Sequence, residues 1–185
     1  MDIILVERRF ERPVKFEDIQ ALEIAGLNCF QIRGVRFLKT FFSPDGHRML
    51  CLYEAPDAES VRDAETQANV PYSRAWSCTH LQGSNPSLRS STAEYVVVER
   101  MFPEAVTAEF VSNALRQSGW CLDLHGAEYV ESFLGNDGRR MICLFRAPDA
   151  EAVRLANRQA GVPYTEVWTA NVHFADGTGL SRHAP

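Results

Sequence analysis

The stretch Asp45-Gly46-His47-Arg48-Met49-Leu50-Cys51-Leu52 returns 92 positions later as Asp137-Gly138-Arg139-Arg140-Met141-Ile142-Cys143-Leu144. An Asp-Gly turn running into an apolar stretch reads as a hairpin entering a strand. Extending outward at the same offset, residues 3–81 overlay residues 95–173 without a gap, and 29 of 79 positions are identical. Val6-Glu7-Arg8 returns as Val98-Glu99-Arg100, Ala55-Pro56-Asp57-Ala58-Glu59 as Ala147-Pro148-Asp149-Ala150-Glu151, and Val70-Pro71-Tyr72 as Val162-Pro163-Tyr164. A period this long exceeds the roughly 20–50 residues of solenoid units. The chain therefore reads as two copies of one fold: repeat 1 over 1–81, a linker over 82–94 rich in serine, repeat 2 over 95–174, and a flexible tail over 175–185.

Within one copy, Ile3-Ile4-Leu5-Val6 is β-branched and apolar, predicting a strand that reaches Phe10. Phe16, Ile19, Leu22 and Leu27 are spaced along one helix face. In copy two, Thr107 is the predicted N-cap of this helix and Gly119 its predicted stop. A strand follows over 35–42, with Phe37 and Phe41 on one face and Leu38 and Phe42 on the other. The turn at Ser43-Pro44-Asp45-Gly46 leads to its hairpin mate. Asp57 then caps a second helix expected to bury Val61, Ala64 and Ala68, and a short last strand passes through Trp76.

The order βαββαβ is the ferredoxin-like arrangement, of class α+β. Helices cover one face of such a sheet, so the other should be polar if it faced water. Here Met49, Cys51 and Tyr53 lie on one face of their strand, and the apolar Leu50 and Leu52 lie on the other. The economical expectation is that the two repeats pack sheet to sheet as a pseudo-twofold α+β barrel. That makes an intramolecular pseudo-dimer, with a further homodimer left open.

Composition narrows the function classes. Net charge is -5 in a chain of 185 residues, which argues against the basic surface that nucleic-acid binding requires. No apolar run suggests a membrane span, and charges in the first residues exclude a secretory leader, so a cytoplasmic protein is expected. Five cysteines without a C-x-x-C pair predict reduced thiols rather than disulfides or a thiolate zinc site.

The string Cys51-Leu52-Tyr53-Glu54-Ala55-Pro56-Asp57-Ala58-Glu59, with Val70-Pro71 and Val6-Glu7-Arg8, resembles the domain-of-unknown-function 4242 family. Some members of that family are described as nickel-binding, and its fold is similar to dimeric α+β-barrel proteins. The resemblance implies a divalent metal, nickel foremost, as the cofactor. Relatives carry histidines at positions held here by Ala64, Ala156, Lys39 and Glu131, so the imidazoles nickel favours are missing there.

Neighbouring residues on a strand point to opposite faces, so one member of Glu7-Arg8 and of Glu99-Arg100 must turn inward. If the interior lies between the sheets, a ligand-binding set follows: Glu7, Arg8, Cys51, Tyr53 and Trp76, with Glu99, Arg100, Cys143, Phe145 and Trp168. The structural alternative is that these charges form ion pairs with helices and the thiols simply pack the core. His80 and His173, near the ends of the two last strands, are the candidate metal ligands. No catalytic residues are assigned. The expected function is a small non-enzymatic protein that binds a divalent metal or a small apolar ligand. The alternative is a cofactor-independent α+β-barrel enzyme, of monooxygenase or isomerase type, acting on an aromatic or lactone substrate.

Overall fold

The computed structural model describes residues 1–83, 94–175 and 181–183. Its elements run β1 (Asp2–Arg9), α1 (Phe16–Ala25), α2 (Leu27–Gln31), β2 (Arg36–Phe42), β3 (Arg48–Ala55), α3 (Ala58–Gln67) and β4 (Arg74–Gln82). The second copy follows as β5 (Glu94–Met101), α4 (Ala108–Leu124), β6 (Glu128–Gly135), β7 (Arg140–Ala147), α5 (Ala150–Gln159) and β8 (Glu166–Ala175), with a short β9 (Ser181–His183). The α+β class and the two βαββαβ repeats are thus present. The chain divides into two compact units: Met1–Cys78 with Asn171–Pro185, and Thr79–Ala170.

In unit 1, β1 pairs antiparallel with β3 on one side and with β4 on the other, and β2 pairs with β3. The outer edge of β2 is covered by the end of β8, where Lys39 pairs with Phe174 and Thr40 with His173. In unit 2, β5 lies between β7 and β8, β6 pairs with β7, and the end of β4 runs beside β6. The last strands are therefore longer than their apolar cores suggest, since β4 continues to Gln82. Most of the expected linker and tail lies outside the described residues. Gln82 and Glu94 at the linker's ends are strand residues, and Ser181–His183 pairs with β8.

Pleat and helix periodicity bring the apolar residues together. Ile4, Val6, Met49, Cys51 and Tyr53 face α1, α2 and α3, where they meet Phe16, Ile19, Phe30, Val61 and Ala64. Val96, Val98, Met141, Cys143 and Phe145 pack the same way with Val111 and Val153 in unit 2. Val61 and Val153 are completely buried, each a contribution of about 1.5–3 kcal/mol. Ala68, expected inside, is half-buried against this core. The other sheet face is buried as well: Leu5, Phe41, Leu50 and Leu52 in unit 1, and Val97, Phe133, Ile142 and Leu144 in unit 2, are all at most 4 % exposed.

Two expectations need correction. A register shift between Phe37 and Lys39 breaks the alternation of β2, so Phe37 and Phe42 join the helix-side core and Phe41 pairs with Leu50 on the far face. An extra residue in one strand turns every later side chain over, and the same shift recurs between Tyr129 and Glu131. Gly119 also fails to stop its helix. It adjoins open space, and α4 continues to Leu124. A helical glycine costs only about 1 kcal/mol, less than its flanking turns supply. Chain reversal comes at Gly126, whose φ of 64° suits glycine.

The capping expectations hold. Asp57 and Asp149 accept from the amides of Ser60 and Ala152, and Thr107 Oγ1 accepts from the Phe110 amide at 3.2 Å. Replacing Thr107 with alanine removes the acceptor for one of the free amides of α4, with an expected loss of about 1 kcal/mol. Chemical denaturation of the variant beside wild type measures it.

Candidate functional site

Arg8, near the end of β1, points to the helix side of its sheet and is 1 % exposed. Its Nη1 donates to Glu65 Oε2 at 3.2 Å and to the Pro71 carbonyl at 2.7 Å. Nη2 donates to Glu65 Oε1 at 2.8 Å and to Glu23 Oε1 at 3.0 Å. Tyr53 completes the cluster, donating its hydroxyl to Glu23 at 2.9 Å. Burial opposes a charged guanidinium here, but the negative charge around it, carried by Glu65 and Glu23, outweighs burial and holds Arg8 well above its ordinary pKa. Burial also pushes Glu65 up, against the pull of Arg8. This is a structural ion network in which both terminal nitrogens of the guanidinium are engaged within the protein.

In unit 2 the arginine is kept and its partners are changed. Glu65 aligns with Asn157, Glu23 with Leu115, Tyr53 with Phe145, and Phe30 with Leu122. Arg100, 5 % exposed, donates through Nη2 to Asn157 Oδ1 at 2.6 Å and through Nη1 to the Pro163 carbonyl. The Asn157 amide donates in turn to the Val153 carbonyl at 2.7 Å. Arg100 Nε, like Arg8 Nε, is buried without a hydrogen-bond partner, but no carboxylate pairs with the Arg100 guanidinium among the described residues. Two carboxylates, a hydroxyl and part of a phenyl ring have gone, and a cleft of about 50 Å³ opens between α4, α5 and the sheet. Arg100 and Asn157 line it with Val111, Leu115, Phe145 and other apolar side chains. A water needs roughly 10–15 Å³ of such space, so the cleft admits several solvent-sized groups.

Within each unit the remaining candidates fall on opposite faces of the sheet. Arg8, Cys51 and Tyr53 lie on the helix side of unit 1, and Arg100, Cys143 and Phe145 on the helix side of unit 2. Glu7 and Glu99 point to the opposite face, where they accept from Trp76 Nε1 at 2.7 Å and Trp168 Nε1 at 2.9 Å. All five cysteines are free thiols. Burial pushes Cys51 up to about 12, with Arg8 pulling the other way, while Thr40 Oγ1 donates to its sulfur at 3.1 Å. Such a thiol stays protonated near neutral pH and is no nucleophile.

His80 belongs to unit 2, stacks on Phe133 and meets Glu131 Oε2 through Nε2 at 2.9 Å. His173 belongs to unit 1, where it is buried and stacked on Phe16 with ring centroids 3.7 Å apart. Among the described residues no three His, Cys, Asp or Glu side chains form a group able to hold a metal ion. The described residues therefore do not by themselves fit a nickel centre, which needs more donors than the His80–Glu131 pair.

Sequence reading chose the positions that repeat, and so missed Asn157, Leu115 and the α4 residues of the cleft. The available signal was the reverse: Glu65/Asn157, Glu23/Leu115 and Tyr53/Phe145 are places where the copies disagree around a shared arginine.

Comparison with known proteins agrees with the fold. A family model described as Nickel responsive protein SCO4226-like matches residues 5–77 and 95–169. The solved structure of SCO4226 from Streptomyces coelicolor A3(2) is 19% identical, covers 40% of this chain and 90% of its own, and has a TM-score of 0.36. TA0507, provisionally named a chlorite dismutase, is 11% identical over 93% of this chain and 95% of its own, with a TM-score of 0.51. A provisionally named monooxygenase from Lactobacillus acidophilus NCFM is 7% identical over 92% and 93%, with a TM-score of 0.47. At 11% identity the likeness to TA0507 speaks to fold alone. No curated protein matches the chain. No helix among the described residues is long and apolar enough to cross a membrane.

Proposed function

Since the chain belongs to the nickel-responsive SCO4226-like family through both of its repeats, we propose that it is a small binding protein whose ligand seat is the cleft of unit 2. The observation that carries this reading is a buried arginine, Arg100, lining an apolar cleft that its counterpart in unit 1 fills with side chains. A mostly apolar concavity with a few convergent polar groups is the usual form of a small-molecule site. The cleft lining contains no carboxylate or imidazole, which favours the binding reading over the enzyme reading. The narrower resemblance to the domain-of-unknown-function 4242 family is kept as part of this proposal.

Titrating isotope-labelled full chain with small apolar and aromatic fragments tests it by amide chemical shifts. Saturable shifts are expected at α4, α5 and β7. Saturable shifts confined to residues away from these elements, or none at all, would overturn the reading. Nickel is the second candidate because the family description names it. Calorimetry on tag-free protein is expected to show no saturable heat with nickel or zinc at micromolar concentration. Heat that disappears in His80→Ala would move the seat to the His80–Glu131 pair.

A further inference from the structure

We infer that the unit 2 cleft takes a small monocarboxylate with a short aliphatic or aromatic tail, its carboxylate pairing with Arg100. The inference rests on the cleft being the ligand seat. Its template is inside the same molecule. In unit 1 the aligned guanidinium of Arg8 is gripped by both oxygens of Glu65, at 2.8 and 3.2 Å, and by Glu23 at 3.0 Å. Unit 2 retains the arginine at 5 % exposure and replaces those two carboxylates with Asn157 and Leu115. What remains is a buried cation served by one amide oxygen and one carbonyl.

A buried charge without a counterion is costly, and removing its partner leaves that cost standing. Guanidinium is a planar fork that matches a carboxylate with two parallel hydrogen bonds. A ligand carboxylate entering beside Asn157 would restore from outside what Glu65 supplies within unit 1. The walls select the rest of the molecule: Val111, Leu115 and Phe145 offer apolar contact. The cleft of about 50 Å³ encloses the head group and a few carbons. A single guanidinium balances one negative charge, which favours a monoanion over a phosphate dianion.

Calorimetry on the full chain with hexanoate and benzoate, against hexanamide and benzamide, tests the inference. The carboxylates are expected to bind tighter than the matched amides by on the order of tenfold to a hundredfold, the usual gain of a charged hydrogen bond. Asn157→Glu, which rebuilds the unit 1 pair, is expected to abolish carboxylate binding in a folded protein. Leu115→Glu, which supplies the counterpart of Glu23 from α4, serves the same purpose if the first variant does not fold. Equal affinity for acids and amides, or undiminished hexanoate binding in the folded variants, would overturn the inference while leaving the cleft as a seat for neutral ligands. Failure of all four probes to bind would overturn the inference and the seat together.

Discussion

Arg8→Met is expected to lower the free energy of unfolding by about 3–5 kcal/mol, the usual cost of removing one partner from a buried ion pair. Most of that cost comes from the carboxylates left behind, and less from the hydrogen bonds that disappear with the guanidinium. Glu65 is fully buried, and Glu23 is 15 % exposed. Without the guanidinium, Glu65 is stranded in an apolar setting that already pushes its pKa above the ordinary 4.5. Its folded-state pKa rises further, so the folded variant holds a proton that the unfolded chain has released. Its stability therefore falls as pH rises from the ordinary glutamate range through that raised value. Urea denaturation at a series of pH values should show the gap to wild type widening upward from about pH 5, where both states begin to differ in protonation. A gap independent of pH would show that Glu65 is not the stranded group. Removing both charges, Arg8→Met with Glu65→Met, should recover much of the loss, and the double-mutant cycle isolates the coupling. Arg100→Met should cost far less, because no carboxylate is orphaned by it.

The second large effect is expected at Gly26, between α1 and α2. A Cβ built there would lie 2.2 Å from the Ala68 Cβ and 3.1 Å from its Cα. Neither atom can swing aside, so Gly26→Ala must push α3 away from the α1–α2 corner. Overpacking of this kind costs about 1–3 kcal/mol, although alanine would otherwise favour a helix. Ala68→Gly in the same chain removes the closer contact and should restore part of the loss. The second copy carries Ser118 at the aligned position without penalty because α4 runs straight through it, and its hydroxyl donates to the Ala114 carbonyl at 2.8 Å. Thermal unfolding of the single and double variants checks the assignment. Stability unchanged in Gly26→Ala would show that the two helices are free to part.

The repeat, the strand order and the caps were legible because each rests on local chemistry. Asp57, Asp149 and Thr107 cap as side-chain oxygens before helices do, and Asp45-Gly46 turns because glycine admits a φ of 73°. The bulges beside Leu38 and Val130 were not legible. A single inserted residue leaves composition and spacing untouched and appears only in the pairing register. Glu7-Arg8 and Glu99-Arg100 were legible as pairs with one inward member, but the pattern did not say that the arginines take the helix side. Their side of the sheet could not be read, because both faces of β1 and β5 are equally apolar and alternation then marks no outside. The cleft was legible only as a difference between the copies, which a search for what repeats passes over.

The strand that closes the edge of β2 comes from the second repeat: Lys39 finds Phe174 and Phe42 finds Asn171. During synthesis, then, the first eighty or so residues can leave the ribosome and form their helices and hairpin, yet β2 must wait with its backbone groups bare until Asn171 to Phe174 have followed. An open edge of this kind invites pairing with other nascent chains. A pause in synthesis before Asn171, or a truncation there, should show itself as aggregation of the amino-terminal unit.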